Sequence, residues 1–299
     1  MFDIIGKRFW FFLIAGVVIL VCIVSLATFK LKAGIEFSSG SMMTVSFEQK
    51  VDKGDLKEEL ASLGYASVII QSIGEDEFLV RLPRLSSKVK AELEAGLTST
   101  FDTLNVKEFD DVSEMVASET MRNAFWAVLA ATIGILFYIA WAFRRMPHPF
   151  RYGICALIAL AHDTLVALGV FSILGGLLGW ETDLKFVIGI LAVIGYSVNN
   201  TVVVFDRIRE NLTRDARSSF ETVVNSSLIE TISRSLNTSL TTLFVVLALL
   251  LFIGAAIQNF AVVLLIGVIA GTYSSLLIAP PLLVVWQKRE WSRFVPWLS

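Results

Sequence analysis

The sequence has little charge and little cysteine for its length. Only 17% of its 299 residues are charged, whereas a soluble domain normally carries about a quarter. Both cysteines, Cys22 and Cys155, lie in apolar runs without metal-ligand or Cys-x-x-Cys spacing, and we interpret them as inert. With a formal net charge of −2, no stretch forms the basic face that nucleic acids require. These shortages argue against a cytosolic globular protein, a cysteine-based metal or redox centre, and a nucleic-acid-binding protein.

Long apolar runs dominate what remains. The chain is 55% hydrophobic, with a mean hydropathy of +0.71, and a helix needs about 20 apolar residues to cross a bilayer. The first run follows Lys7 and Arg8, but it is longer than a signal-peptide core and no cleavage site follows, so we expect a retained anchor. The predicted spans are residues 9–29, 124–143, 152–180, 186–205, 235–252 and 260–286, with a turn at 254–259 before the last.

Lysines and arginines near the spans predict the orientation, because cytoplasmic loops retain positive charge. Thirteen of them fall on one side of the membrane, and the short loops on the other side hold Lys185 alone. Both termini are therefore predicted to be cytoplasmic. The predicted organisation is an N-terminus with the first span (1–29), an external domain (30–123), five spans with a cytoplasmic loop at 206–234 (124–287) and a cytoplasmic tail (288–299).

The external segment has its own secondary-structure pattern. Alternating, β-branched stretches predict strands, and leucines at helical spacing predict helices. The order is βαββαβ, at residues 42–47, 52–63, 66–73, 77–82, 86–101 and 106–109, with a turn at 74–76. The predicted fold class is therefore an α-helical polytopic membrane protein with six transmembrane helices and one external α+β ferredoxin-like domain. This domain contains no His, no Cys and no catalytic constellation, so we expect binding rather than chemistry from it, on tethers at 30–34 and 114–121.

Asp163 is an acidic residue deep inside the third predicted span. At 1.5 Å per residue it lies roughly 16 Å from the start of that span, near the bilayer midplane. An ionised Asp there costs about 2.5–3.5 kcal/mol on insertion scales. Asp163 either bonds to another helix as a packing contact, or is a carboxyl that binds and releases protons, which we favour.

Two further polar segments lie in spans four and five. Residues 195–201 are unusually polar for a lipid-facing helix, so they must face protein or water, and Tyr196 and Asn200 share a face because they are four residues apart. In span five, Arg234 begins a polar stripe that we predict to point into the bundle. Snorkelling of Arg234 to the cytoplasmic interface is the alternative. The other members of the stripe are Asn237, Thr238, Thr241 and Thr242.

Three motifs carry a family resemblance. Residues 193–211 read Val-Ile-Gly-Tyr-Ser-Val-Asn-Asn-Thr-Val-Val-Val-Phe-Asp-Arg-Ile-Arg-Glu-Asn, residues 159–163 read Ala-Leu-Ala-His-Asp, and residues 34–40 read Gly-Ile-Glu-Phe-Ser-Ser-Gly. Residues 193–211 are similar to the signature of a fourth span, and residues 159–163 to the motif of a third span. Residues 34–40 are similar to a glycine-containing motif that precedes the external domain. Together they resemble the SecF family of bacterial protein-export membrane proteins, within the resistance-nodulation-division superfamily.

The resemblance implies a subunit that pairs with SecD and uses the proton motive force to promote late preprotein translocation through SecYEG, in the bacterial inner membrane. YajC and YidC are further candidate partners. We expect no enzymatic activity, no metal and no cofactor, with the proton gradient as energy source. By motif, Asn200 and Arg234 occupy proton-relay positions and form the candidate intramembrane site with Asp163. The supporting motif residues are His162, Tyr196, Asn199, Asp206 and Arg207.

One position departs from the family pattern. Asp usually follows the Asn of the Gly-Tyr-Ser-x-Asn run, whereas this chain has Asn200, which cannot titrate. An alternative function is therefore a non-conducting structural or assembly subunit of the same complex. A half-size efflux transporter is a third interpretation, disfavoured because such transporters need about twelve spans and repeated architecture.

Overall fold

The computed structural model describes residues 3–73, 76–146, 148–215, 217–252 and 257–290. The chain divides into two compact units. The helical unit comprises Met1–Leu31, Trp126–Gly176 and Lys185–Ser299, and the α+β unit comprises Lys32–Phe125 together with Leu177–Leu184. The α+β unit therefore includes a short connection between two membrane helices as well as the external segment.

The secondary structure alternates between these units along the chain. A 3-10 turn at Ile5–Lys7 precedes the first helix. The elements, in chain order, are α1 (Arg8–Phe29), α2 (Ile35–Ser38), β1 (Gly40–Phe47), α3 (Lys53–Ser62), β2 (Ile69–Ser72), β3 (Glu77–Leu82), α4 (Ser87–Phe101), β4 (Leu104–Val112), α5 (Glu114–Ala142), α6 (Pro149–Leu178), α7 (Leu184–Arg214), α8 (Phe220–Phe252), α9 (Gln258–Leu277) and α10 (Ala279–Lys288).

Within the described residues, six helical segments are long and apolar enough to cross a membrane, which confirms the predicted number. They are α1 with its preceding turn, α5, α6, α7, α8, and the segment Gln258–Lys288 that joins α9 and α10. The turn predicted at 254–259 falls partly on residues 253–256, which lie outside the described residues; α8 ends at Phe252 and α9 begins at Gln258. This is the architecture of a multi-pass membrane protein.

Several helices extend beyond the apolar runs that predict them. α5 begins at Glu114, so residues 114–121 form its first two turns and are not a tether. α7 continues to Arg214, and α8 begins at Phe220, well before its apolar run starts at residue 235. The hydrogen bonds that extend a helix do not depend on apolar side chains. The runs therefore predict which part of a helix lies in hydrocarbon, but not where the helix ends.

The α+β unit has the predicted ferredoxin-like fold. Its strands form one antiparallel sheet in the order β2-β3-β1-β4, with α3 and α4 as the crossovers. β4 is longer than predicted and pairs with β1 on both sides of a register shift between Thr44 and Val45. The turn predicted at 74–76 includes residues 74 and 75, which lie outside the described residues.

One hydrophobic core supports this sheet. Side chains alternate along a strand, so every second residue of β1 and β3 faces the two helices. Asp52 accepts a hydrogen bond from the Gly54 amide at 2.8 Å, and Ser86 accepts one from the Val89 amide at 3.4 Å, which caps the starts of α3 and α4. The core includes Met43, Val45, Phe78, Val80, Leu56, Leu60, Leu93 and Leu97.

Candidate functional site

The candidate site is centred on Asp163, at the middle of α6. This residue follows Pro149 by 14 positions and precedes Leu178 by 15, so the helix ends are about 21 and about 22 Å away at 1.5 Å per residue. Its exposed fraction is 0%. The carboxyl therefore lies far from both ends of a membrane-spanning helix.

Three side chains surround the Asp163 carboxyl. The hydroxyls of Ser197 on α7 and Ser274 on α9 donate to Oδ2 at 2.5 and 2.7 Å. The Nδ1 atom of His162 lies 3.0 Å from Oδ1. In the part of the chain that the structure describes, no Lys or Arg forms an ion pair with this carboxyl. Hydrogen bonds to ionised groups are roughly twice as strong as neutral ones, so these donors can hold a buried carboxylate where three helices meet.

Two glycines of α9 allow α7 to approach closely. A Cβ atom at Gly267 would lie 2.0 Å from Cγ2 of Val193. At Gly271 it would lie 3.1 Å from Cβ of Ser197 and 3.4 Å from Oδ2 of Asp163. Small residues four positions apart let helix backbones pack closely in membranes. This pair therefore sets the distance between α7 and α9 at the site.

His162 places a nitrogen base beside the carboxyl. Its ring is 8% exposed and stacks on Tyr273, with centroids 6.1 Å apart. A carboxylate can only accept hydrogen bonds, so next to an ionised Asp163 a neutral imidazole has its proton on Nδ1 and a lone pair on Nε2. Nε2 has no hydrogen-bond partner among the described residues. The site therefore combines a carboxyl and an imidazole that lie within hydrogen-bond distance of each other.

A cavity of about 310 Å³ lies next to this pair and is lined by His162 and Tyr273. The rest of its lining is apolar and comes from α1, α6 and α9, for example Ala15 and Ala270. An apolar lining offers no replacement for the hydrogen bonds that a water or an ion would lose on entering. The cavity gives the imidazole an apolar environment on that side.

The polar run on α7 makes contacts with two other helices. The Tyr196 hydroxyl donates to Oγ of Ser239 on α8 at 3.0 Å. The Ser239 hydroxyl lies 2.6 Å from the Thr272 hydroxyl on α9. These contacts join α7 to α8 and α8 to α9 through hydroxyl groups that are buried or half-buried.

The two asparagines of this run differ in environment. Asn199 is exposed, whereas Asn200 is only 3% exposed. The Nδ2 atom of Asn200 has no hydrogen-bond partner among the described residues. A buried donor without a partner costs about 1–3 kcal/mol. Asn200 is therefore an unsatisfied polar position inside the helical unit.

Arg234 is exposed, so the predicted direction of the polar stripe is wrong. Asn237, Thr238 and Thr241 are exposed with it. The interior face of α8 carries smaller side chains that pack closely, so it has no room for an arginine. Three of these side chains donate a hydrogen bond to the backbone carbonyl four residues earlier. No hydrogen bond or ion pair within the described residues joins Arg234 to Asp163 or Asn200. The interior residues are Ser227, Thr231, Ser235 and Ser239.

Asp206 and Arg207 lie on the last turns of α7, which pack against α8. Arg207 pairs with Glu230 of α8, and with Glu210 at 2.6 Å. Asn211 donates to the same Glu230 carboxylate at 3.0 Å. Asp206 is exposed and pairs with an arginine one turn later on its own helix, at 2.5 Å. The Phe-Asp-Arg-Ile-Arg-Glu-Asn run therefore docks α7 onto α8.

Sequence reasoning singled out neither Ser197 nor Ser274 as functional. Ser197 lies inside the polar run of α7, and Ser274 follows Gly271 by one helical turn. The available signal was a hydroxyl on the small-residue face of each helix. Only the packing of α7 against α9 shows that both hydroxyls reach the same oxygen.

Comparisons with known proteins cover this whole site. Residues 92–289 match the family model described as protein export membrane protein SecD/SecF, C-terminal. Residues 24–51 match the SecD/SecF GG motif. The first match contains α5 to α10, and with them every residue of the candidate site.

Three relatives show the extent of the similarity. The protein translocase subunit SecF of Thermobaculum terrenum is 43% identical over 98% of this chain and 96% of the relative. The protein translocase subunit SecDF of Bacillus subtilis is 33% identical over 96% of this chain and 38% of the relative. The crystal structure of SecDF, a translocon-associated membrane protein from Thermus thermophilus, matches with a TM-score of 0.87 and 31% identity over 96% of this chain and 39% of that chain. This chain thus spans less than half of each SecDF protein.

Proposed function

This chain belongs to the SecF family of protein translocase subunits, and from that membership we propose that it couples proton flow to preprotein translocation. Its role is in protein export, and the resemblance expected from the sequence is confirmed. The proposed partners are a SecD-type subunit and a SecYEG translocon. The proposed location is the bacterial inner membrane with both termini in the cytoplasm, which the distribution of Lys and Arg supports.

The buried Asp163 carboxyl carries the proposal. Its Oδ2 atom accepts hydrogen bonds from Ser197 and Ser274 together. Protonation of Oδ2 would turn that acceptor into a donor, so one serine must rotate or move away. Because Ser197 belongs to α7 and Ser274 to α9, a proton at this oxygen changes the contacts that set the positions of both helices relative to α6.

The exposed face of α8 supports a partner within the membrane. Arg234 and Thr238 lie on the outside of this chain, in a helix long and apolar enough to span the bilayer. Charged and polar side chains in a membrane are costly unless they face protein or water. A second helical bundle, contributed by the SecD-type subunit, would cover this face and supply a counter-charge to Arg234.

A non-conducting structural subunit is the second candidate function. The observation that favours it is Asn200, an amide where the family pattern usually has a titratable Asp, with a buried Nδ2 that lacks a partner among the described residues. In this case the chain would stabilise its partner, and protons would cross elsewhere.

The experiment that separates the two uses vesicles containing this chain, its SecD-type partner and SecYEG. Preprotein translocation is measured with and without an imposed proton gradient. The proposed function predicts faster translocation with the gradient and no stimulation when either this chain or the SecD-type partner is left out. Equal rates with and without the gradient, combined with loss of the complex when this chain is absent, would support the structural subunit instead.

A further inference from the structure

The connection between α6 and α7 is paired with the segment that follows α1. Ala33 and Thr182 form a parallel β-bridge. The Gly34 amide donates to the Thr182 carbonyl at 2.8 Å, and the Thr182 amide donates to the Lys32 carbonyl at 2.7 Å. We call this pairing of residues 32–34 with residues 181–183 the clip. All of it belongs to the α+β unit.

Arg81 of β3 holds both sides of the clip. Its guanidinium donates to the Ala33 carbonyl at 2.8 Å, to the Ser38 hydroxyl, and to Glu181, with which it forms an ion pair. The two charged side chains are only 21% and 15% exposed. Burial raises the pKa of Glu181, and the charges of Arg81 and Lys32 oppose that rise. A buried carboxylate of this kind depends on its cation, because breaking such a pair leaves an uncompensated charge.

The backbone around the clip is closely fitted. β3 is an inner strand, and Arg81 is paired with Met42 on one side and Ile69 on the other, so the guanidinium projects from a fixed position. A Cβ atom at Gly34 would lie 3.1 Å from the Thr182 carbonyl oxygen. A larger residue there would press against the clip.

Two rigid helices lead from the Asp163 site to the clip. Asp163 precedes the end of α6 by 15 residues, about 22 Å of helix. Ser197 follows the start of α7 by 13 residues, about 20 Å. Only residues 179–183 separate the two helices, and three of those five residues, 181–183, belong to the clip. Any change in the Asp163–Ser197 contact that shifts α6 against α7 therefore acts on the clip.

We propose that Arg81 and Glu181 are positioning residues that keep the clip closed, so that displacement of α6 or α7 at the Asp163 site moves the α+β unit. This inference rests on the proposed proton-coupled function. It adds the mechanical connection through which protonation inside the membrane reaches the external domain. The clip transmits the displacement of α6 or α7 to the α+β unit while it stays closed, and the coupling does not require it to open.

The test replaces Arg81 and then restores the clip covalently. Arg81→Gln removes the charge and the three-way contact. Lys107→Gln is the matched control, because Lys107 pairs with Glu77 in the same sheet, on a more exposed surface. The rescue adds Ala33→Cys and Thr182→Cys, since bridge partners lie within the Cα distance that a disulfide spans. The native cysteines Cys22 and Cys155 are buried.

Two measurements are made on the full chain with its SecD-type partner. Arg81→Gln should lower the gradient-dependent part of translocation by at least about fivefold, the low end of typical coupling between sites, and leave the gradient-independent part unchanged. Oxidation of the cysteine pair should restore the lost part, and a reductant should remove it again. Hydrogen exchange should quicken at the Gly34 and Thr182 amides in Arg81→Gln but not in Lys107→Gln.

If Arg81 had only a structural role, Arg81→Gln would lower the gradient-dependent and the gradient-independent translocation rates equally. That result would overturn the proposal. Normal coupling in Arg81→Gln despite faster exchange at the clip would overturn it as well, as would loss of coupling on oxidation of the cysteine pair in an otherwise native chain. If the native chain shows no gradient dependence, the proposed function itself fails and this inference fails with it.

Discussion

Ser197 and Asp163 are joined by a 2.5 Å hydrogen bond that links α7 to α6 at the centre of the membrane-spanning helices. The bond is buried and ends on an oxygen that a second serine also contacts. A single proton on that oxygen therefore competes with two helix–helix contacts at once.

Asp163→Asn should reduce the gradient-dependent part of translocation by about tenfold or more, which corresponds to about 1.4 kcal/mol. The amide has nearly the same volume but cannot bind and release a proton. Translocation rate against imposed gradient measures the effect in the presence of the SecD-type partner. Asp110→Asn, on an exposed part of β4, is the control and should behave as the native chain does. Full coupling in Asp163→Asn would remove this carboxyl from the pathway.

Asn200→Asp should be tolerated or should raise proton-coupled translocation, because it restores the titratable group that the family pattern usually has at this position. The site already contains a polar side chain whose Nδ2 lacks a partner among the described residues. The gradient dependence of translocation is measured for both Asn200→Asp and Asn200→Ala. Asn200→Asp tests the effect of a titratable group, and Asn200→Ala tests the effect of lost packing. Loss of coupling in Asn200→Asp would show that position 200 has a different role.

Arg234→Ala should abolish coupling and leave the stability of the isolated chain within about 0.5 kcal/mol, as for most exposed substitutions. The reason is that Arg234 is exposed and forms no ion pair among the described residues, so we expect its counter-charge to come from a partner. Thermal unfolding of the purified chain and gradient-driven translocation by the complex provide the two readouts. Arg209→Ala is the control, since Arg209 is exposed and pairs with Asp206 on its own helix. A large loss of stability in the isolated chain would contradict this assignment.

Gly267→Ala should destabilise the helical unit by about 1–3 kcal/mol, as overpacking of a closely fitted contact generally does. The added Cβ atom would lie 2.0 Å from Val193 and would separate α9 from α7. Gly134→Ala is a matched control in another membrane helix, because a Cβ atom there meets nothing within 4 Å. Unfolding of both variants in detergent measures the difference. Equal stability would mean that α7 and α9 can separate without cost.

Asp111 should make the stability of the α+β unit depend on pH. The Ser41 hydroxyl, which donates to Asp111 at 2.8 Å, and the Arg84 guanidinium hold the pKa of this carboxyl below its ordinary value. Because the folded-state pKa is the lower one, the stabilisation is present above the unfolded-state pKa of about 3.9 and is lost as pH falls through the folded-state value.

Hydrogen-exchange protection factors for β1 and β4 should therefore fall less steeply below about pH 4 in Asp111→Asn than in the native chain. Asp110→Asn serves as the control, because the Asp110 carboxylate accepts no hydrogen bond from another side chain among the described residues. Identical pH profiles for Asp111→Asn and the native chain would remove Asp111 as the source of the dependence.

Periodicity and apolar length predict most of the fold. The number of spans and the βαββαβ order both follow from local pattern, because the bilayer fixes the length of a span and the sheet fixes a period of two. The start of α5 at Glu114 could not be predicted in this way, since a polar segment reads equally well as a linker or as a solvated helix.

The candidate site is less accessible to sequence reasoning. Asp163 stands out because a carboxyl inside a span is costly, but Ser197 and Ser274 are ordinary residues until α7 and α9 pack against α6. The stripe that begins at Arg234 shows the same limit. Helical spacing places its members on one face, and only tertiary packing shows that smaller residues, such as Ser235, occupy the interior face.

The ion pair between Arg81 and Glu181 constrains the order in which this protein folds. The two residues are 100 positions apart, so at roughly 5–20 residues per second Arg81 waits about 5–20 s for its carboxylate to be synthesised. Glu181 lies between the third and fourth spans, so the clip can be completed only after the third span has been synthesised. The α+β unit, most of which is synthesised early, thus finishes folding only after the third membrane-spanning helix has been made.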